Sequence, residues 1–136
     1  MNLAERRAVH EFQTQQFPEL QKKIEEAAGY ELPVEVDWDS LAVPQESKLY
    51  GSAWPKVYFE PLIAALQEVG RDHIGKHAMK EKLNKVVVRN TLGCYYADRW
   101  ASFEDGVLTL DHESVQNVEE VEARQNALIA LLEDKL

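Results

Sequence analysis

The segment from Lys85 to Asp111 constrains the fold more than any other part of the chain. It contains β-rich runs on both sides of Asp105-Gly106, a dipeptide that tolerates the positive φ angles of a two-residue type I′ hairpin turn. A turn at this dipeptide sets the strand register, and opposed residues share one face of the hairpin. The residues that this register places on one apolar face are Ala101, Phe103, Leu108 and Leu110.

The remaining periodicities predict an α+β fold. We expect a small, mainly antiparallel β-sheet that is covered on one face by α-helices, with a helical N-terminus and a C-terminal helix. The expected strands lie at 33–38, 56–59, 85–89, 97–103 and 107–111. The expected helices lie at 2–16, 18–28, 61–69 and 72–84, with a last one that opens at an Asn117/Glu120 capping box. One helix bent at Phe17 is the alternative to the first two.

The segment 39–54 shows no sustained period and contains Pro44 and Gly51, so we predict a long loop. Its Tyr50 and Trp54 are large for a solvated loop, and we expect this segment to pack back onto the body of the protein.

The composition limits the classes of function. The chain has 136 residues, which predicts a single domain over 1–136. A net charge of -9 argues against a nucleic-acid partner. No apolar run is long enough for a signal peptide or a membrane span, and Cys94 is the only cysteine, so we expect a cytoplasmic protein without membrane contact. No cofactor motif occurs, and we predict no cofactor.

A histidine pair is the one metal-like pattern in the sequence. His73 and His77 are four residues apart on a predicted helix, and Glu81 follows one turn later. This spacing resembles zinc sites, but a full set of ligands is missing. We therefore predict no metal site and treat these residues as solvent-facing, with zinc binding as the alternative.

The same helix carries an excess of positive charge in an acidic chain. Residues 71–89 hold a formal charge of +4, against -9 for the whole protein. The pattern is typical of a solvated helix face, and the alternative is a site for a phosphate-bearing ligand, RNA or an acidic partner segment. The helix residues of this candidate binding site are Arg71, His73, Lys76, His77 and Lys80.

Two aromatic residues complete the candidate binding site. We expect Tyr96 and Trp100 to be partly exposed on the outer face of the sheet, together with Val87 and Val107. An outer face of this kind suggests a protein partner or a homodimer. Cys94 is interpreted as a small packed residue, with a nucleophile as the alternative.

Two functions follow from these patterns. We predict a non-enzymatic protein-binding module of the adaptor, inhibitor or immunity type, because catalytic motifs are missing and aromatic surface candidates are present. The alternative is a small enzyme or a ligand- or phosphate-binding protein that uses the His73/His77/Lys80 face with 39–54 as its cover. No particular small molecule is indicated.

Overall fold

A four-stranded mixed sheet forms the centre of the protein, for which a computed structural model describes all residues 1–136. Its strands are β1 (Val34–Val36), β2 (Lys85–Arg89), β3 (Ala101–Glu104) and β4 (Val107–Asp111). The spatial order is β1-β2-β4-β3. Strands β1, β2 and β4 are parallel, and β3 pairs antiparallel with β4.

The predicted hairpin is confirmed residue by residue. Phe103 pairs with Leu108 and Ala101 with Leu110. The turn residues Asp105 and Gly106 have φ angles of 50° and 80°, the two positive values that a type I′ turn requires. Leu108 and Leu110 are fully buried, so the apolar face points into the core as expected.

The α+β class is also confirmed, but the expectation of a mainly antiparallel sheet is wrong. Two of the three strand pairings are parallel. The chain between β1 and β2 runs through 37–84, long enough for the helical crossover that parallel neighbours need. The predicted strand at 97–103 begins only at Ala101, after a 3₁₀ turn at Ala97–Arg99.

Helix α1 is one continuous, irregular helix. It comprises Leu3–Glu11, a π-helical turn at Phe12–Gln16 and Phe17–Ala28. The π-helical turn comes immediately before Phe17-Pro18, where the proline has no backbone N–H to donate to a preceding carbonyl. The structure therefore has the single helix of the alternative prediction, with its irregular turn next to Phe17.

Most of the region predicted as a loop and a short strand is helical instead; 42–46 is irregular, and Ser47–Leu49 is a 3₁₀ turn. Trp38–Leu41 forms a short helix, α2. Helix α3 comprises Tyr50–Trp54, a π-helical turn at Pro55–Phe59 and Glu60–Val69. Val57, Tyr58 and Phe59 are all buried, and a short apolar run of this kind does not distinguish a buried helical turn from a strand. Tyr50 and Trp54 do pack onto the body, with 1% and 0% exposure.

The last two helices are α4 (His73–Lys82) and α5 (Val121–Lys135). Helix α5 begins three residues later than the capping pattern predicts. Asn117 has a φ angle of 50°, and its side-chain amide donates to Tyr95 O, so it does not cap the helix. None of the helices has both the length and the apolar character that crossing a membrane requires.

The two faces of the sheet differ. The inward residues of β2 and β4 are buried in the core, and β3 packs against α5. Val87 and Val107 lie on the other face and are half-buried, as expected. The expectation that Trp100 is exposed there is wrong: it is 1% exposed, and its Nε1 donates to Arg124 O at the start of α5.

Candidate functional site

The predicted helix face is solvated along its whole length. His73, Lys76, His77 and Lys80 are all exposed on α4. His77 Nε2 lies 2.9 Å from a Glu81 carboxylate oxygen, and this pair is the main polar contact on the face. No group of three or more His, Cys, Asp or Glu side chains is arranged to hold a metal ion.

A cavity of about 250 Å³ adjoins α4, but it does not join the predicted elements. Arg71 and Ile74 line it together with residues of α5, whereas His73, His77 and Lys80 do not, and no lining residue comes from 39–54. Arg71 itself bonds to Glu68 at 2.7 Å. The alternative function, a small enzyme or a phosphate-binding protein, therefore stays a prediction, because no pocket joins the His73/His77/Lys80 face to 39–54.

Tyr96 belongs to a different surface, a loop over residues 90–96 that leaves β2 at the carboxyl end of the parallel strands. We call it the 90–96 loop. Three large side chains project from it: Leu92 is 73% exposed, Tyr95 44% and Tyr96 54%. The two tyrosine rings lie 4.4 Å apart between centroids, so they form one aromatic surface. The loop thus presents three large side chains that the core leaves uncovered, two of them in contact.

The Asp111 carboxylate, at the end of β4, holds the first part of this loop. It accepts from the backbone N–H groups of Thr91 and Leu92 at 2.9 and 3.2 Å, and from Thr91 Oγ1 at 2.7 Å. It also accepts from Arg89 Nε at 2.8 Å. Burial alone would raise the pKa of Asp111, but these hydrogen bonds outweigh it and lower that pKa. The carboxylate therefore stabilises the loop as an anion.

Two further contacts hold the second part of the loop. Glu113 N donates to Cys94 O at 2.6 Å, and the Asn117 amide donates to Tyr95 O at 2.6 Å. The Cys94 thiol contacts Tyr96 O, a carbonyl that cannot act as a base for a nucleophile. The loop is thus fixed to the protein along its length, although its side chains face solvent.

No family model matches the chain, and neither a curated protein nor a solved structure is similar to it. The 90–96 loop, together with the residues that support it, is therefore the candidate functional site.

Beneath the loop lies a cluster of buried polar side chains, and Arg124 of α5 is its largest member. Arg124 is 0% exposed, and no carboxylate pairs with it. Its guanidinium donates only to backbone carbonyls, at distances of 2.8 to 3.3 Å. Those carbonyls belong to Lys56, Val57, Asn117 and Val118. Arg124 thereby ties the irregular turn of α3 to the segment that leads into α5.

His112 is the second member of this cluster. It is 0% exposed, and its ring meets Trp100 edge-on with centroids 6.3 Å apart. Its Nδ1 lies 2.6 Å from Glu113 O, while Nε2 is buried without a hydrogen-bond partner. The Tyr58 hydroxyl donates to the backbone carbonyl of His112. Burial is the largest influence on the pKa of His112 and lowers it.

The sequence pattern did not single out Asp111, His112 or Arg124. One signal was present for Arg124, which stands four and eight residues before the buried Leu128 and Leu132 and so occupies a core-facing position of α5. A charged residue at such a position indicates a buried polar contact. Nothing comparable marks Asp111, because acidic residues after a strand are commonly solvated.

Proposed function

We propose that this protein is a non-enzymatic protein-binding module that contacts its partner through the 90–96 loop. The observation that carries the proposal is the cluster of Leu92, Tyr95 and Tyr96, which expose large apolar area on a backbone that is held in place. Aromatic side chains are enriched among the residues that dominate binding energy at interfaces. Their low side-chain entropy makes them suitable for this role.

The fixed backbone supports the same proposal. A loop that is already ordered loses little conformational freedom when it binds, so more of the contact energy remains as affinity. Asp111 orders the first half of the loop, and Glu113 with Asn117 orders the second. A loop with no binding role would not need to combine a rigid backbone with exposed Leu92 and tyrosine side chains.

The partner that fits this surface is a protein with an apolar pocket that has polar groups at its mouth. Leu92 would enter the pocket, and the tyrosine hydroxyls, which lie 3.4 Å apart, would meet the polar groups. Because the chain carries a net charge of -9, a basic surface around that pocket would speed association. An adaptor, an inhibitor or an immunity-type protein would use such a contact.

The experiment compares site-specific cross-linking at the loop with cross-linking elsewhere. A photo-reactive phenylalanine analogue replaces Leu92 in one variant and Ile74 in the other, and each is expressed in the native host. Ile74 is the matched control, because it is 82% exposed but lies on α4. We expect a discrete cross-linked partner at position 92 and not at position 74.

The identified partner is then purified and titrated with the wild-type protein and with a Leu92→Ser/Tyr96→Ser variant. We expect the double substitution to weaken binding at least about tenfold. Equal cross-linking at both positions, or unchanged affinity of the variant, would reject the loop as the contact. A cross-link to a second copy of the chain, with a dimer in sedimentation that the double substitution disperses, would replace the proposed partner by self-association.

A further inference from the structure

His112 occupies a particular place in the chain, between the two residues that fasten the 90–96 loop. Asp111 holds Thr91 and Leu92 through its carboxylate, and Glu113 holds Cys94 through its backbone N–H. A movement of the His112 ring out of the core would therefore move both attachment points of the loop. The His112 ring thus connects the buried polar cluster to the exposed 90–96 loop.

The hydrogen bond of the imidazole decides where its proton lies. Glu113 O is a carbonyl and can only accept, so Nδ1 carries the proton and Nε2 is the basic nitrogen. Nε2 is buried and has no hydrogen-bond partner. A second proton would create a buried N–H donor and a positive charge with no acceptor, a combination that proteins avoid.

The groups around the ring do not supply a compensating anion in contact with Nε2. Arg124 approaches from α5 as a cation. Tyr58 approaches from α3, and the Tyr58 hydroxyl donates to the His112 carbonyl. Trp100 covers the ring edge-on before β3. The carboxylates of Glu113 and Glu120 act on the ring only through their charge. Asp111 is engaged by Arg89 and the loop.

We propose that His112 makes the 90–96 loop sensitive to mild acid, because a proton on Nε2 forces the ring out of its buried site and releases the loop from Asp111 and Glu113. Release of the loop is a property of the isolated protein. Its consequence for a partner, namely dissociation in a mildly acidic environment, rests on the proposed function.

The direction of the effect follows from linkage. Burial lowers the pKa of His112 in the folded protein, so the released form binds the proton more readily than the native form. The loop is therefore fully held above the ordinary histidine pKa of about 6.5. The free energy that holds it decreases as the pH falls below that value and levels off once the pH is below the lowered pKa.

The test is amide hydrogen exchange of the isolated protein at pH 7.5 and 5.5, with rates corrected for the intrinsic effect of pH. The reporting amides are those of Thr91, Leu92 and Glu113, and the amide of the buried Val86 in β2, which donates to Pro33 O, reports the core. We expect the loop to open more readily than the core at both pH values. One pH unit below 6.5 should make this loop opening up to about tenfold more frequent.

Two variants test whether His112 causes the pH dependence of loop opening. His112→Gln removes the titrating group, and we expect its loop opening to be independent of pH between 7.5 and 5.5. His77→Gln, the matched control on the exposed face of α4, should respond as the wild type does. Should His112→Gln not fold, an NMR titration of the His112 ring in the wild type replaces it. The ring signal should then titrate together with the Thr91 and Leu92 amide signals.

Loop opening that stays constant with pH while only core exchange increases would overturn the proposal, because His112 would then titrate only on global unfolding. A pH response that persists in His112→Gln would overturn it as well. Neither result depends on a partner. The proposed function can therefore fail while this inference holds, and this inference can fail while the proposed function holds.

Discussion

The carboxyl end of the sheet and the exposed face of α4 contain similar types of residue that behave very differently. At the carboxyl end, Asp111, His112 and Arg124 are buried and bonded to the backbone of neighbouring segments. On α4, His73 and Lys80 face solvent, and nothing depends structurally on their charge. The density of charge in the sequence predicts a candidate site on α4. The charged groups that support the structure are instead single buried residues, Asp111 and Arg124.

The comparison teaches that irregular backbone needs buried polar partners. The π-helical turn of α3, the 90–96 loop and the segment before α5 cannot satisfy their own N–H and C=O groups by regular pairing. Arg124 and Asp111 satisfy them instead, one as a donor and the other as an acceptor. Five predictions test this contrast.

The largest effect is expected at Arg124. Arg124→Met keeps much of the side-chain volume but removes all the hydrogen bonds that the guanidinium donates to the four carbonyls, of which only Asn117 O keeps another donor, Glu120 N–H. We expect a loss of about 3 kcal/mol or more in the free energy of unfolding, measured by urea denaturation. Arg71→Met, in the exposed turn before α4, is the matched control and should change stability by about 0.5 kcal/mol or less. Equal effects of the two substitutions would remove the contrast.

Asp111→Asn should have the next largest effect. The amide keeps the shape of the carboxylate but loses its charge and one acceptor oxygen, so the four hydrogen bonds that Asp111 accepts weaken or are lost. We expect a loss of about 2 kcal/mol at pH 7. Glu35→Gln is the control: Glu35 pairs with Lys85 at 2.7 Å on the exposed face, and its loss should cost less than about 1 kcal/mol.

The pH dependence of the same variant gives an independent check. Because the pKa of Asp111 is lowered in the folded protein, the stability that it supplies is complete above the ordinary aspartate pKa of about 3.9. It is lost as the pH falls from that value through the lowered pKa. Wild type and Asp111→Asn should therefore converge in stability at low pH, and a constant difference down to pH 2 would contradict the assignment.

A pair of glycine substitutions extends the comparison to close packing. An alanine Cβ at Gly75 would lie 1.7 Å from Val69 O, so the backbone of α4 must shift. We expect Gly75→Ala to cost about 1–2 kcal/mol, although alanine is the better helix former. At Gly51 the nearest atom is the flexible Gln16 Nε2 at 3.0 Å, and Gly51→Ala should be neutral or slightly stabilising. A higher melting temperature of Gly75→Ala than of the wild type would contradict this, because it would show that the backbone at Val69 moves away from the new Cβ without cost.

The smallest effect is expected at the surface of the loop. Leu92→Ser and Tyr96→Ser remove exposed side chains but leave the backbone bonds of the loop in place, so each should change stability by about 0.5 kcal/mol or less. Urea denaturation of the two variants beside wild type checks this. A large loss would indicate that these side chains support the fold, and it would weaken their proposed role in binding.

The sequence predicted best where local chemistry and register coincide. The Asp105-Gly106 turn leaves one pairing that segregates apolar from polar residues, and that pairing is observed. The parallel pairing of β2 with β4 was missed because no local signal encodes it; the two strands are joined through 90–106, a connection that includes β3. The run at 56–59 was misassigned because its apolar residues are buried on all sides as a π-helical turn.

The candidate site was predicted less well than the fold. Tyr96 is exposed as expected, but Trp100, four residues later, turns inward because its indole N–H donates to Arg124 O. That contact joins residues 24 positions apart, which periodicity within a single element cannot reveal. The hydrogen bonds that hold the 90–96 loop likewise join it to Asp111, about 20 positions further along the chain.

The central claim is that Asp111 and its neighbours hold the backbone of an exposed loop in one conformation. Amide hydrogen exchange of the wild-type protein at pH 7.5 tests it most directly, with Thr91 and Leu92 as the reporting amides. We predict that both exchange at least about a hundredfold more slowly than in an unstructured peptide, although they lie in a surface loop. Exchange of both amides at the rate of an unstructured peptide would contradict the account.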